Sequence, residues 1–459
     1  MVPFDQPDGP GAAVTVVQNG EIVFSKAYGR ANLTHDVPFS LDTPSNIASV
    51  SKQFTAFAIL LLTERGQLSL DDDVRTHVPE VPDFGPPVTL RHLLTHTNGY
   101  RETLNTLMLA GRRIDKGDYI APDEHLWILR QQPALHHEPG TAWNYNNTGY
   151  QLLATVVERV TDQSFSTWME TNVFEPLGMA RTTVRSSPMQ IVSDRAQGYV
   201  PAGKDRFLAV RDFGLQGPAG IYSTVEDLTR WIKNFETGAL GGPDVVRAMM
   251  TPHVLASGDT TNYGFGLFVG EHRGLDQVWH GGAAVGHRAA LLYYPEIDAS
   301  VITVSNHGGF DVGGPSTSNT RHTSGIPTGI ARLFFQEHMG EPQASAGRDP
   351  TRDNQPGSEA TSSWTPSEAD RAAYVGRYFS EELQTFYAVA RDDKQLVVRH
   401  RRLGTIPLTP AETDAFRGAF PVPIIPFGLR FVRDNAGNVT GFTVSFDRTH
   451  GVRFEKRSP

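Results

Sequence analysis

Ser49 and Lys52 stand three residues apart, the one place in the chain where a serine precedes a lysine at that spacing. The run Phe54–Leu62 follows at once and is too apolar all round for a surface helix. It predicts a helix buried in a large core, with Ser49 at or near its start and Gly66 just past its end. Residues three apart share a helix face, so the hydroxyl and the amine can touch. Ser49 alone could be no more than an N-cap. Lys52 is harder to place, because a cation in the first turn opposes the helix dipole at about 0.3–1 kcal/mol and burial costs more. Both effects favour the neutral amine, and a serine beside a neutral lysine is an activated nucleophile.

Other polar clusters carry weaker signals. Asn144–Tyr150 opens an apolar helix through Leu152, Leu153, Val156 and Val157, and Gln277–Gly282 reads as a strand whose glycines admit another backbone. His92 and His96 have the i, i+4 spacing of a zinc pair, but no glutamate stands in the metalloprotease position and no third ligand presents itself. Asp71–Asp73 reads as a solvated turn. Gly264 and Gly266 lack the third glycine and the βαβ setting of a dinucleotide fingerprint.

The elements that must position these residues are legible in outline. Asn19-Gly20 between two β-branched runs predicts a hairpin over Gly11–Val17 and Ile22–Phe24. Val88–Gly99 predicts a short helix with Thr89 near its start. Tyr100–Leu135 is polar and reads as an irregular cap over the site. Gln216–Thr224 is a glycine-punctuated strand or loop before a helix from Val225. Tyr263–Phe268, Leu291–Tyr294 and Ser300–Ser305 read as strands, and Ile326–Met339 as a closing helix. Gly308–Gly325 has the composition of a mobile loop and Gly340–Ser363 that of a linker. From Trp364 short alternating strands (Tyr387–Ala390, Leu396–Arg399, Leu429–Val432, Phe442–Phe446) predict a small antiparallel sheet or barrel. The expected plan is a domain over 1–340, a linker over 341–363 and a separable barrel over 364–459.

The chain has 459 residues, enough for two or three domains; 39% are hydrophobic and 20% charged, as in ordinary globular proteins. A net charge of -9 argues against nucleic-acid binding, and the absence of cysteine removes disulfides and thiolate chemistry. No apolar stretch approaches the ~20 residues of a membrane span. The first residues lack the basic and apolar regions of a signal peptide, so a cytoplasmic location is expected.

Ser49-Val50-Ser51-Lys52, Tyr145-Asn146-Asn147 and His280-Gly281-Gly282 occur in the order of three known motifs. With Leu90–Thr97 and Gly220–Leu228, they make Pro10–Met339 resemble the serine β-lactamase and penicillin-binding-protein superfamily, in its class C β-lactamase-like (CubicO) group. The segment from Trp364 is similar to the lipocalin-like domain of some members. The resemblance implies an α/β (α+β) fold, an antiparallel sheet flanked by helices plus an all-helical part, followed by a small β-barrel. It implies Ser49, Lys52 and Tyr145 as catalytic residues, with the Tyr145 phenol lowered in pKa by nearby cations. It implies Asn147, His280, Gly281, Gly282 and Ala283 as substrate-binding residues, with the Ser49 and Ala283 N–H groups as oxyanion hole. No cofactor or metal is expected. The expected partner is a small molecule or short peptide, with no nucleic acid and no membrane span; a homo-oligomer is left open.

Three departures stand out. His280 replaces the usual lysine, Met1–Pro10 is shorter than the usual N-terminal helix, and no glutamate is placed like the class A deacylating base. An imidazole near ~6.5 would be mostly neutral at pH 7, so substrate carboxylates should be held weakly. The H-x-G form is similar to that of D-aminopeptidases. The implied activity is hydrolysis of small peptides or amides, D-residues included, through an acyl-enzyme. The alternatives are a carboxylesterase, a weak β-lactamase or a slow-turnover acylated binding protein.

Overall fold

A computed structural model describes residues 8–202, 205–209, 214–312, 325–341, 364–393, 395–420 and 426–457. Asn19 and Gly20 both take positive φ, 53° and 72°, as a type I′ turn requires. They fold Ala12–Gln18 (β1) back on Glu21–Tyr28 (β2). Four later strands complete an antiparallel sheet: Phe268–His272 (β3), Leu275–Ala284 (β4), His287–Tyr294 (β5) and Ala299–Ser305 (β6). The order across it is β3-β4-β5-β6-β1-β2. Alternate side chains leave the two faces, so Ala13, Ile302 and Val304 join one core while Val14, Val16 and Val301 join another. Helix Val225–Thr237 covers the first face and helix Ile326–Phe335 the second.

The expected apolar helix is Ser51–Glu64 (α1), buried from Ser51 through Leu62. It ends in a Schellman motif: Gly66 has φ 66°, its N–H donates to Thr63 O, and Gln67 N–H donates to Leu62 O. Helix Asn147–Thr161 packs beside it, capped by Asn146 Oδ1 on the Gly149 N–H. Helix Leu90–Leu94 starts at Thr89, whose hydroxyl accepts from His92 N–H while His92 Nδ1 accepts from Thr89 N–H. Tyr100–Leu135 is not the irregular cap expected: it holds the helices Thr103–Leu109 and Glu124–Gln131, the first capped by Glu102. The strand expected from Tyr263 begins only at Phe268. Residues 313–324 of the glycine-rich loop and 342–363 of the expected linker lie outside the described residues.

Nine antiparallel strands between Gly376 and Arg457 form a nearly closed barrel around Tyr378, Tyr387, Phe431, Phe442 and Phe454. The barrel does not stand apart. Leu109 is buried in its core, and Tyr387 Oη donates to Leu109 O at 2.8 Å. Arg101 and Glu382, both buried, form an ion pair across the junction. No helix among the described residues is long and apolar enough to cross a membrane.

Candidate active site

Ser49 lies in a single 3₁₀ turn, Ala48–Val50, that runs straight into α1. It is not the helix cap; Val50 holds that position and makes no side-chain cap. The turn is strained: Ala48 has φ 49°, a left-handed value that costs a non-glycine residue on the order of 1–3 kcal/mol. Local contacts hold it there. Ala48 N–H donates to Asn46 Oδ1 at 2.8 Å, and Ile47 N–H donates to Ile221 O at 3.1 Å. On the other side β4 presses in so closely that a Cβ on Gly282 would lie 2.2 Å from Ile47 O. The glycine expected to admit another backbone thus admits the turn that carries Ser49.

Lys52 is fully buried one turn along. Its Nζ donates to Asn147 Oδ1 at 2.8 Å and Pro218 O at 3.1 Å, and lies 3.5 Å from Ser49 Oγ. Burial, then the charge of Arg448, pushes the amine well below its usual pKa, with Glu102 pulling the other way. Nζ also sits 4.6 Å from the centre of the Tyr145 ring. Ser49 and Arg448 both act to lower the Tyr145 phenol. The expected lowering is nevertheless overturned: burial outweighs both and raises it.

Asn147 links two charged side chains. Its Oδ1 faces Lys52, and its Nδ2 donates to Glu102 Oε1 at 2.5 Å. Glu102 is fully buried, and its Oε2 accepts from Asn105 N–H at 2.7 Å. His280 lies on β4 with its ring centre 6.2 Å from that of Tyr145. Its Nδ1 faces Gly281 O at 2.7 Å, which leaves Nε2 to accept from Tyr263 Oη at 3.3 Å. Burial and then Lys52 push it down to about 3, so it stays neutral throughout the physiological range. Gly281 and Gly282 follow on β4, and Ala283 stands one residue past the contact with Ile47. The structure therefore joins Ser49, Lys52, Tyr145 and Asn147 directly, and lays His280, Gly281, Gly282 and Ala283 along the adjoining strand.

Two residues escaped the sequence reading. One is Glu102. The other is Arg448, in the turn between the barrel strands Val439–Phe446 and Thr449–Arg457. Its guanidinium lies 5.3 Å from the centre of the Tyr145 ring, and its side chain is only 16% exposed. Its backbone is pinned by Asn144 Nδ2, donating to Arg448 O at 3.0 Å, and by Asn105 Oδ1, accepting from Arg448 N–H at 3.3 Å. Asp447 Oδ2 accepts from Nε at 3.1 Å. Burial opposes its charge, yet Glu102 and Asp447 hold the guanidinium above its usual pKa. The site thus contains a fixed cation, contrary to the expectation drawn from His280. Among the described residues no group of three or more His, Cys, Asp or Glu side chains is placed to hold a metal ion.

Comparison with known proteins locates this arrangement. The family described as Beta-lactamase matches residues 4–318. A D-aminopeptidase of Gluconobacter oxydans (strain 621H) is 29% identical over 301 residues, 65% of this chain and 56% of that one. A D-aminopeptidase of Brucella anthropi is 30% identical over 302 residues, 66% of this chain and 57% of that one. The chain spans a little over half the length of these relatives. An octameric penicillin-binding protein homologue from Pyrococcus abyssi shares the fold with a TM-score of 0.60 at 23% identity, covering 98% of this chain and 96% of that one.

Proposed function

The chain belongs to the Beta-lactamase family and is a serine hydrolase, and from that premise we propose that it cleaves amide bonds of small peptides through an acyl-enzyme on Ser49. The observation that carries this reading is the set of contacts at Lys52. A neutral amine has two N–H donors and one lone pair. Asn147 Oδ1 and Pro218 O occupy the two donors, which leaves the lone pair for the Ser49 hydroxyl. As Ser49 Oγ attacks the substrate carbonyl, its proton passes to Nζ. The N–H groups of Ser49 and Ala283 receive the oxyanion, a contribution of about 2.7–4 kcal/mol per donor in such sites.

A phenol raised by burial is an acid rather than a second base. Tyr145 gives its proton to the leaving nitrogen and regains one from Lys52. Water then attacks the acyl-enzyme, Lys52 takes its proton, and Ser49 is restored. Glu102 is a positioning residue: by accepting from Asn147 Nδ2 it orients the amide so that Oδ1 faces Lys52. Arg448 supplies the permanent charge that His280 lacks, so a substrate carboxylate beside the reacting carbonyl is attracted at neutral pH. The D-aminopeptidase relatives support substrates containing D-residues.

The test is fluorophosphonate labelling, with turnover of matched D- and L-aminoacyl p-nitroanilides. Labelling is expected on Ser49 and lost in Ser49→Ala. A Ser49→Ala protein that labels at the wild-type rate overturns the assignment.

A further inference from the structure

A cleft of about 230 Å³ lies between Asn46, Arg185, Arg195, Gly220 and Val285. Its wall shares backbone with the site. Asn46 lines it, and its Oδ1 holds Ala48 N–H. Ala219 and Gly220 line it next to Pro218, whose carbonyl holds Lys52. Val285 lines it two residues past Ala283.

Arg185 and Arg195 also line the cleft, both partly buried, and among the described residues no aspartate or glutamate does. The Arg185 guanidinium donates to the backbone carbonyls of Pro188 and Gln190, which carry no charge. The Arg195 guanidinium lies 5.8 Å from the centre of the Tyr222 ring. Among the described residues no carboxylate pairs with either. Two such guanidiniums in one cleft suit a carboxylate, which arginine binds through a planar fork of N–H donors.

On one side of β4, β3 pairs only with Leu275–Trp279, so His280–Ala284 have no strand neighbour there among the described residues. A substrate chain added to that edge would pass from Ala283 to Val285 in about 7 Å, at ~3.3 Å per residue.

We propose that the Arg185–Arg195 cleft is a subsite for a substrate carboxylate carried about one residue from the scissile bond, which makes acidic peptides the preferred substrates. The proposal rests on the acyl-transfer reading of Ser49. The probes are N-succinyl-D-alanine p-nitroanilide and its neutral N-succinamoyl analogue, assayed with wild type and with Arg185→Gln/Arg195→Gln. Wild type should favour the succinyl compound by about tenfold in kcat/KM at low salt. In the double variant that ratio should fall to about one, while the value for the neutral analogue stays within about twofold and so reports an intact fold and site. A wild-type ratio near one, or a ratio that survives in the double variant, overturns the subsite. If neither anilide is turned over, amide hydrolysis fails as a separate matter. The subsite is then read from protection of Ser49 against fluorophosphonate by the succinyl and succinamoyl D-alanine amides: stronger protection by the succinyl amide supports it, and equal protection overturns it.

Discussion

Replacing Arg448 by glutamine removes a cation that the barrel contributes to the site, and the consequences can be worked out for substrate and base separately. A carboxylate about 4 Å from a guanidinium gains ~4 kcal/mol at an effective dielectric near ~20. Exchange with water reduces this, and truncating one partner of a desolvated charge pair in general costs about 2–5 kcal/mol. For a substrate whose carboxylate neighbours the reacting carbonyl, kcat/KM should therefore fall by roughly 30-fold to 5000-fold. For the matched carboxamide it should fall severalfold at most. The second consequence concerns Lys52. Its Nζ and the Arg448 guanidinium lie 4.6 and 5.3 Å from the centre of the same Tyr145 ring. They are therefore no more than about 10 Å apart, a separation at which like charges repel by ~1.7 kcal/mol at that dielectric. Arg448 lowers the Lys52 pKa, so its removal raises it, and the acid limb of the pH–kcat/KM profile should move to higher pH. His280 cannot produce that limb between pH 5.5 and 8.5, because burial holds it down to about 3. The assay is kcat/KM for the carboxylate and carboxamide substrates over that range, in wild type and Arg448→Gln. An unchanged ratio of the two substrates together with an unmoved acid limb would refute the role given to Arg448.

Glu102→Gln removes the charge that raises the Lys52 pKa, so its acid limb should move to lower pH, opposite in sign to Arg448→Gln, with a fall in kcat as Asn147 loses its anchor; a rise in that limb would contradict the relay. Lys52→Ala should lower kcat nearly as far as Ser49→Ala, and the double variant should fall little further, because nucleophile and base act as a unit; additive losses in single-turnover assays would separate them. Removing residues 364–459 should leave buried Arg101 without Glu382, and breaking such a pair costs about 3–5 kcal/mol; a truncated chain with wild-type melting temperature and activity would show that the barrel contributes neither stability nor Arg448.

What was legible in the sequence was local. Asn19-Gly20, Thr89 and Gly66 each act through backbone groups a few residues away, and each turn or cap formed where its chemistry predicts. Ser49 and Lys52 are neighbours on one turn, and Tyr145 and Asn147 follow from their motif. Arg448 gave no such signal, because Asp447-Arg448 has the composition of an ordinary hairpin turn and its partners Asn105 and Asn144 lie over 300 positions earlier. Glu102 was hidden in a stretch whose helices are short and whose cap is a glutamate rather than the commoner serine or aspartate. The titration behaviour of Tyr145 and His280 was misjudged for a related reason. Motifs name a residue's neighbours, whereas both groups are governed mainly by the depth of their burial.

The insertion of Arg448 beside Tyr145 also has a meaning for the making of the protein. Phe335, the end of the helix that covers the sheet, and Arg448 are separated by 113 positions, which at a translation rate of about 5–20 residues per second is an interval of roughly 6–23 s. For that time a nascent chain carries its proposed nucleophile and base without Arg448 beside them. Chains that terminate before the final hairpin hold Ser49 and Lys52 but lack Arg448. On the role proposed for Arg448, a ribosome-bound fragment is the place to look for a less discriminating hydrolase.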